Sequence, residues 1–437
     1  MRGKLNLFQA MMLRWRELHP YVAVHMVEVA HALDAARLKA HLEQRLEAAG
    51  LTGLSVDHRR KRFEFLGGPA AVELTILRGG EDPAAVAAQE IERQLNCPFP
   101  REGTFTPFRF FAIDGQSTFQ LGLAYDHFIA GGDSIVVLLE KLVAGYAQNP
   151  AEPAPPWTPR RYPRTYSRLF LRNFGYALRG LKRLRSMAAS CRRSCRAPCR
   201  TDRAATNAFL SFRVEPAEFA ALLGTAKDWG VTLNDLCLAM LLQALARVVP
   251  RRPGIARRNE LGVASIVNLR GGFESDPSDT FGQFLASLRV SHPVPPGIEL
   301  RELATAVHAR TERVKKEKLY LQTLLGLAST GLAWRFLTPE RRRGFFAKHY
   351  AIWAGMTSLN VDPLWHIAPG SGAPPEYARA VPTGPLAPMV FAITTFRGAM
   401  HLGVSFRTAD VSRETAERVA TTLLDQARNL VCSHQRC

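Results

Sequence analysis

An α/β fold in two lobes is the architecture this chain predicts, and three observations predict it. Short runs alternate apolar and polar residues as strands do, as in Val72-Glu73-Leu74-Thr75-Ile76-Leu77, while Leu38, Leu42, Leu46 and Ala49 recur at helical spacing. The length, 437 residues with 47% hydrophobic and 22% charged, exceeds what one hydrophobic core usually serves and favours two domains or lobes. A proline-rich stretch, with Pro153, Pro155, Pro156, Pro159 and Pro163, reads as a linker between them.

The first lobe is expected over residues 1–147. It opens with a strand over 22–27 and a helix from Asp34, followed by the strand 72–77 and a helix started by Asp82-Pro83 that carries Ala87, Ile91 and Leu95. Residues 108–113 then lead through an Asp114-Gly115 turn into an apolar strand over 118–125, which makes a hairpin. A glycine-containing turn follows. Ser134 is placed to cap a helix with Ile135, Leu138, Leu139 and Leu142 on one face.

Residues 148–206 form the linker and a strongly basic segment. The chain has 57 Lys and Arg against 38 Asp and Glu, a formal charge of +19. Between 160 and 203 stand fourteen Lys or Arg and the single acid Asp202, so thirteen of the nineteen excess charges lie there. Such a balance calls for an anionic partner: a phosphate-bearing cofactor, an acidic carrier protein, anionic lipid or nucleic acid. Nucleic acid is the weakest of these, because no nucleic-acid-binding signature accompanies the charge. Phe170, Phe174, Ala177, Leu181, Leu184 and Ala188 share a helical face, with Arg172, Arg179, Lys182 and Arg183 opposite. That pattern suits an anionic membrane surface, and it equally suits a helix docked on its own protein with a solvated basic face, or a basic loop.

The second lobe is expected over 207–437. It begins with a strand over 208–214. Thr232, Asn234 and Asp235 then open an apolar helix over 236–249, wetted only by Gln243 and Arg247 and ended by Pro250, which reads as buried between layers. Residues 319–334 run without a charge, short of the roughly 20 residues of a spanning helix, leaving a buried helix or a half-inserted surface segment. Arg341-Arg342-Arg343 with Phe345 and Phe346 adds another basic and apolar patch.

Seven cysteines, an odd set with no secretory signal, indicate reduced thiols in the cytoplasm. Cys191, Cys195 and Cys199 would lie along one helix stripe up to Pro198, but their spacing matches neither a zinc nor an iron–sulfur ligand set, so no metal is expected. The chain contains no GxSxG, HExxH or GxxxxGK[ST] pattern, which counts against serine hydrolases, zinc hydrolases and nucleoside triphosphatases.

The chemistry concentrates in Ala124-Tyr125-Asp126-His127-Phe128-Ile129-Ala130-Gly131-Gly132-Asp133-Ser134. A histidine stands at the end of a strand, beside two glycines that let backbone or ligand come close. An isolated histidine in such a place is more often a satisfied polar residue than a base. The surrounding motif changes that balance.

The stretch resembles the His-His-x-x-x-Asp-Gly signature of the acyltransferase superfamily that includes nonribosomal peptide condensation domains, chloramphenicol acetyltransferase and wax ester synthase/diacylglycerol acyltransferases. His127 aligns with the second histidine, Gly132 with the glycine and Ser134 with a serine common in condensation domains. Asp126 replaces the first histidine, and Gly131 replaces the structural aspartate that pairs with an arginine in the family. Asp133 is the residue placed to supply that charge instead. Further segments are similar to the same superfamily in order along the chain: Asn6-Leu7-Phe8-Gln9, the Asn268-Leu269-Arg270 strand end with Phe281-Gly282-Gln283, Thr357-Ser358-Leu359-Asn360-Val361, and residues 400–406 before a closing helix from Ser412.

The resemblance implies a two-lobed chloramphenicol acetyltransferase-like sandwich of mixed sheets flanked by helices, with the site in a tunnel where the lobes meet. It implies His127 as general base with Asp133 as its catalytic companion, Arg270 as a partner of Asp133, and Gly131, Gly132, Ser134, Asn268, Ser358 and Asn360 as structural or tunnel-lining residues. The implied reaction moves an acyl group from acyl-CoA or an acyl-carrier protein to a hydroxyl or amine acceptor, in lipid or secondary metabolite biosynthesis. It needs no permanently bound cofactor, and takes place in the cytoplasm, with 160–203 bringing the protein to the inner face of the membrane. The alternative is a catalytically degenerate relative that binds carrier protein, ligand or membrane without transfer.

Overall fold

The computed structural model describes residues 1–147, 157–161, 167–200, 206–250, 258–269, 280–367 and 376–434. The first lobe runs β1 (Arg2–Lys4), α1 (Leu7–Trp15), β2 (Val22–Val29), α2 (Ala35–Ala48), β3 (Leu54–Asp57), β4 (Arg62–Phe65), β5 (Leu74–Arg78), α3 (Pro83–Leu95), β6 (Thr104–Phe105), β7 (Phe108–Gly115), β8 (Thr118–Asp126) and α4 (Gly132–Ala147). Asp34 and Asp82 accept backbone N–H bonds at the starts of α2 and α3, as their positions in the sequence predict. Between the lobes lie β9 (Arg160–Arg161), α5 (Ser167–Arg172) and α6 (Phe174–Arg193).

The second lobe holds β10 (Asn207–Val214), α7 (Pro216–Asp228), α8 (Leu233–Val248), β11 (Leu261–Asn268), β12 (Thr280–Phe281), β13 (Leu285–His292), α9 (Leu300–Lys316), α10 (Leu321–Ala333), α11 (Pro339–Arg343), α12 (Phe345–His349), β14 (Ala354–Asn360), β15 (Tyr377–Ala380), β16 (Met389–Phe396), β17 (Ala399–Arg407) and α13 (Arg413–His434).

Two larger mixed sheets form the core, beside a four-stranded antiparallel sheet β1-β4-β3-β6 and the parallel pair β12-β9. One of the larger sheets has the order β15-β2-β8-β7-β5, the other β10-β17-β16-β14-β11-β13, with β14 parallel to both of its neighbours. Residues 377–380, which the sequence places in the second lobe, cross over as β15 and pair antiparallel with β2, setting Arg379 opposite His25. The connection from β14 to β16 thus completes the first lobe's sheet, and the division between lobes is not a single cut in the chain.

Each of the larger sheets has its own core. In the second, α8 is buried almost all round from Leu236 to Leu245, as its composition predicts; Gln243 reaches the Ile298 carbonyl and accepts a bond from Gln426. In the first, α10 packs Leu321, Leu324 and Leu327 against the cluster that contains α1, and leaves Leu332 62% exposed. The uncharged run 319–334 is therefore an amphipathic helix covering one end of the molecule.

Three local expectations are corrected. The hairpin exists, but Gly115 pairs with Thr118, so the turn centres on Gln116-Ser117, with Gln116 at φ 70°, rather than on Asp114-Gly115. Helix α4 starts at Gly132, which puts Ser134 inside its first turn instead of at the cap. Finally, α6 ends at Arg193, so Cys195 and Cys199 lie beyond it and share no stripe with Cys191; Cys195 Sγ donates to the Arg258 carbonyl. Of the apolar stripe expected in this segment, Phe174 is exposed, whereas the side chains of 170 and 177–185 lie outside the described residues, as do residues 148–156 and 162–166 of the proline-rich stretch.

Candidate active site

The turn after β8 is held from three directions by segments that the sequence singles out. Asn6 caps α1 by accepting from the Gln9 N–H (2.9 Å), while Gln9 accepts from the Asn6 N–H (3.1 Å). The same two side chains go on to the site: Gln9 Nε2 donates to the Phe128 carbonyl (3.1 Å) and Asn6 Nδ2 to the Gln283 carbonyl (2.6 Å). Gln283 Nε2 in turn donates to the His127 carbonyl (3.2 Å). Gly282, at φ 144°, accepts from the Gly131 N–H (2.9 Å) and from the Ser134 hydroxyl (3.2 Å). The matches at residues 6–9 and 281–283 are thus the two clamps on the histidine loop.

Asp126 and His127 point different ways. Asp126 is buried and paired with Arg16, whose Nη2 also donates to the Pro100 carbonyl (2.6 Å). Burial pushes the Asp126 carboxyl up to about 6, against the opposing pull of Arg16. The residue that replaces the first histidine therefore fastens the base of the turn and takes no part in lining the cavity.

His127 does line it. A cavity of about 450 Å³ lies between the two larger sheets, closed at one end by α1, α10 and α12 and bordered by the exposed residues Ile266, Asn268, Ser329 and Ser358. Register explains which groups of the first sheet look into it. Tyr125 pairs with Ala23 and Leu123 with His25, so Tyr125 and His25 share one face, and Arg379, opposite His25, joins them. His127 continues that face beyond the strand end, its ring 5.5 Å from that of Tyr21 and 5.8 Å from that of Tyr125.

These groups are buried and hold few bonds among themselves. His25 Nδ1 shares a hydrogen bond with the Tyr377 hydroxyl (2.8 Å), while His25 Nε2 and His127 Nδ1 have no partner among the described residues. Burial, reinforced by Arg379, lowers His127 to about 3 and His25 well below its usual value, so both rings are neutral at neutral pH. Arg379 donates Nε to Thr394 Oγ1 (2.9 Å) and Nη2 to the Ile393 (2.8 Å) and Thr357 (3.2 Å) carbonyls; burial lowers its pKa to about 10, still cationic.

The sequence-predicted residues distribute as follows. Asp133 lines the cavity; its Oδ1 accepts from the Ser134 N–H (3.0 Å) and its Oδ2 from Asn268 Nδ2 (2.9 Å), which ties the start of α4 to the end of β11. Its Oδ1 lies 2.9 Å from where a Cβ on Gly131 would stand, so the carboxylate occupies the place a side chain at 131 would begin. Gly132 and Asn268 line the cavity, and Ser134 sits behind it on Gly282. Ser358 also lines it and donates to Asn234 Oδ1 (3.1 Å). Asn360 does not line it: it is exposed, and its side chain accepts from the Asp362 N–H (3.1 Å). Arg270 lies outside the described residues.

Sequence reasoning missed His25 and Arg379. A histidine within the apolar run Val22-Ala23-Val24-His25-Met26-Val27 was a signal, since an unpaired polar group in a buried strand is costly. Arg379 had none, because only the crossover of β15 brings it to the first sheet.

No protein-family model and no curated protein matches the chain. Solved structures do. The chain is similar to the first condensation domain of the calcium-dependent antibiotic synthetase in complex with a substrate analogue (TM-score 0.68, 16% identity, 99% of this chain and 97% of that one). It is similar to the EpoB cyclization-docking bidomain from Sorangium cellulosum (0.69, 12%, 99% and 85%) and to the epimerization domain from the third module of tyrocidine synthetase B (0.65, 12%, 99% and 96%). A likeness of this depth over the full length, with the histidine turn clamped between the lobes, gives the chain the fold of condensation domains.

Proposed function

We propose that the protein is an acyltransferase that moves an acyl group from a thioester, carried by CoA or a carrier protein, to a hydroxyl or amine acceptor. One observation carries this reading: His127 presents a neutral imidazole to a cavity open between the lobes. The fold by itself selects no reaction, since condensation, cyclization and epimerization domains share it.

The acceptor's oxygen or nitrogen attacks the thioester carbonyl carbon as its proton passes to His127; the new C–O or C–N bond forms and a tetrahedral oxyanion results. The positive end of α4, whose first turn lines the cavity, favours that charge. Collapse breaks the C–S bond, and the proton moves from the imidazolium to the thiolate. The neutral ring has a free nitrogen for the proton, and its low proton affinity favours passing that proton on to the thiolate. Asp133, tied to Asn268, positions the turn in place of the carboxylate absent at Gly131. The apolar walls from Phe8, Trp15, Leu327 and Phe346 suit an aliphatic or aromatic acyl group.

The test is release of free thiol from a panel of acyl-CoA and acyl-phosphopantetheine donors with alcohol and amine acceptors, the wild-type protein against His127→Ala. Release that needs His127 supports the reading. Consumption of no thioester across the panel favours the alternative, a relative that binds without transfer, for which Gly131 speaks.

Peripheral membrane attachment is the second part of the proposal. Among the described residues no single helix is long and apolar enough to cross a membrane. Exposed Leu171 (74%), Phe174 (62%) and Phe336 (81%) accompany the basic 160–203 segment and Arg341-Arg342-Arg343. Cosedimentation with vesicles containing phosphatidylserine, absent with phosphatidylcholine alone and lost at high salt, is the expected outcome; binding indifferent to both rejects it.

A further inference from the structure

A hollow on the first-sheet side of the cavity, beside Gly132, has the features of an anion site. Arg379 is 3% exposed, and three of its contacts anchor it to β14 and β16 through Thr357, Ile393 and Thr394. Its Nη1 donates to no protein acceptor among the described residues. That nitrogen lies 3.3 Å from where a Cβ on Gly132 would stand, and His25 Cε1 lies 3.5 Å from the same point. Leu359 Cδ2 lies 3.3 Å from it as well, so the cavity reaches Arg379 Nη1 past Gly132 only because residue 132 has no side chain. The hollow is bordered by a buried cation and by an imidazole whose Nε2 also lacks a partner.

A buried guanidinium is costly without a matching negative charge. Asp133 raises the Arg379 pKa through space, but the two form no ion pair, and the Asp133 carboxylate is directed to Ser134 and Asn268. Away from the hollow the walls are mostly apolar, with Phe8, Trp15, Leu327, Phe346 and Leu386 beside the polar Gln322, Thr323, Ser329 and His349. A cavity of about 450 Å³ with one fixed cation at its polar end holds a small molecule that is charged at one end only.

We infer that this cavity binds a free carboxylate on an apolar body, with one carboxylate oxygen on Arg379 Nη1 and the hollow over Gly132 receiving the group. The inference concerns the proposed transferase site and rests on that reading for its part in turnover, making the ligand either an acyl donor that carries a second, free carboxyl or an acceptor with an unesterified carboxyl. Binding itself is measured without turnover.

Isothermal titration calorimetry with decanoate, phenylalanine and decanol separates the cases. At least one carboxylate is expected to bind tenfold or more tightly than decanol; decanoate in first place assigns a free carboxyl at the end of an acyl chain, phenylalanine an amino-acid acceptor. Arg379→Met is expected to remove that advantage. Because Arg379 also joins strands, circular dichroism checks that the variant folds, and Gly132→Ala provides an independent route: its methyl group fills the hollow while leaving every Arg379 strand bond in place. Decanol binding as tightly as both carboxylates, or carboxylate binding unchanged in folded Arg379→Met or in Gly132→Ala, overturns the inference. Carboxylate binding with no thiol release sinks the transferase reading and keeps this one; thiol release with no carboxylate binding does the reverse.

Discussion

Each lobe buries a histidine-containing polar cluster, and the two are built on opposite principles. In the second lobe Asp235, fully buried at the start of α8, accepts from Thr232 Oγ1 (2.6 Å) and Thr311 Oγ1 (2.6 Å) and bonds His308 Nδ1 (2.8 Å). Burial alone would raise its pKa, but these three bonds more than offset that and hold it below the usual carboxylate value. In the first lobe His25 Nε2 and His127 Nδ1 have no partner among the described residues, and Arg379 Nη1 donates to none of them, all beside a cavity. A polar cluster that satisfies itself fixes a helix. One that leaves groups open toward a cavity is kept for a ligand, because an orphaned buried polar atom costs about 1–3 kcal/mol that packing has to offset.

The widest gap between the clusters is expected in turnover. His127→Ala should lower thiol release about 10²–10⁴-fold, the usual contribution of a positioned general base, with a melting temperature close to wild type because no ring hydrogen bond is lost. A large loss of stability with retained activity would reverse the roles assigned to the two clusters.

Acid should come next, and it acts on buried neutral histidines, two of which belong to the open cluster. His19 and His127 are lowered to about 3 and His25 well below 6.5, burial being the main cause in each. The unfolded chain takes up protons near pH 6.5, whereas these rings stay neutral in the fold, so their stabilisation is complete above pH 6.5 and lost as pH falls toward 4. By pH 5.5 each ring costs about 1 kcal/mol. Asp126, raised to about 6, acts oppositely and returns less than about 1 kcal/mol over the same range. With His401, lowered to about 4 by burial, four rings outweigh Asp126, and urea denaturation at pH 7.5 and 5.5 should show a net loss of about 3–5 kcal/mol. Equal stability at the two pH values would mean that the rings are solvated.

Asp235→Ala tests the closed cluster. Removing the acceptor of two hydroxyls and a histidine should cost about 2–3 kcal/mol while thiol release per folded molecule stays at the wild-type level. Lost turnover in fully folded protein would place Asp235 in the site.

How far these clusters could be read from the sequence follows from where their parts lie in it. Local signals carried the helices opened by Asp34, Asp82 and Thr232, whose caps sit within three residues of what they bind. The buried character of α8 was visible because its polar positions are so few. The histidine turn was legible through its resemblance, and the segments at 6–9 and 281–283 were legible as matches; only the structure gives their reason, bonds of 119 and 156 residues' separation onto the His127 loop. Arg379 was illegible for a topological cause. The alternation of β15 says that it is a strand residue, and nothing local says that the strand joins a sheet begun 350 residues earlier. The Gln116-Ser117 turn was missed because Asp-Gly is the stronger local signal, and pairing of Gly115 with Thr118 overrode it.

The smallest effect separates two residues that sequence treated alike. Ser358 and Asn360 lie two apart on β14, and alternation puts them on one face, but the strand is ending. Ser358 borders the cavity and donates to Asn234, whereas Asn360 folds back on the Asp362 N–H at the strand's last residue. Ser358→Ala should therefore change KM for the acceptor about two- to fivefold, within the value of one partly exposed hydrogen bond, and leave kcat within twofold. Asn360→Ala should alter neither, with at most a small loss of stability from the lost turn bond. If both substitutions moved KM equally, the cavity would extend past the end of β14, and its border would have to be redrawn on the second lobe's side.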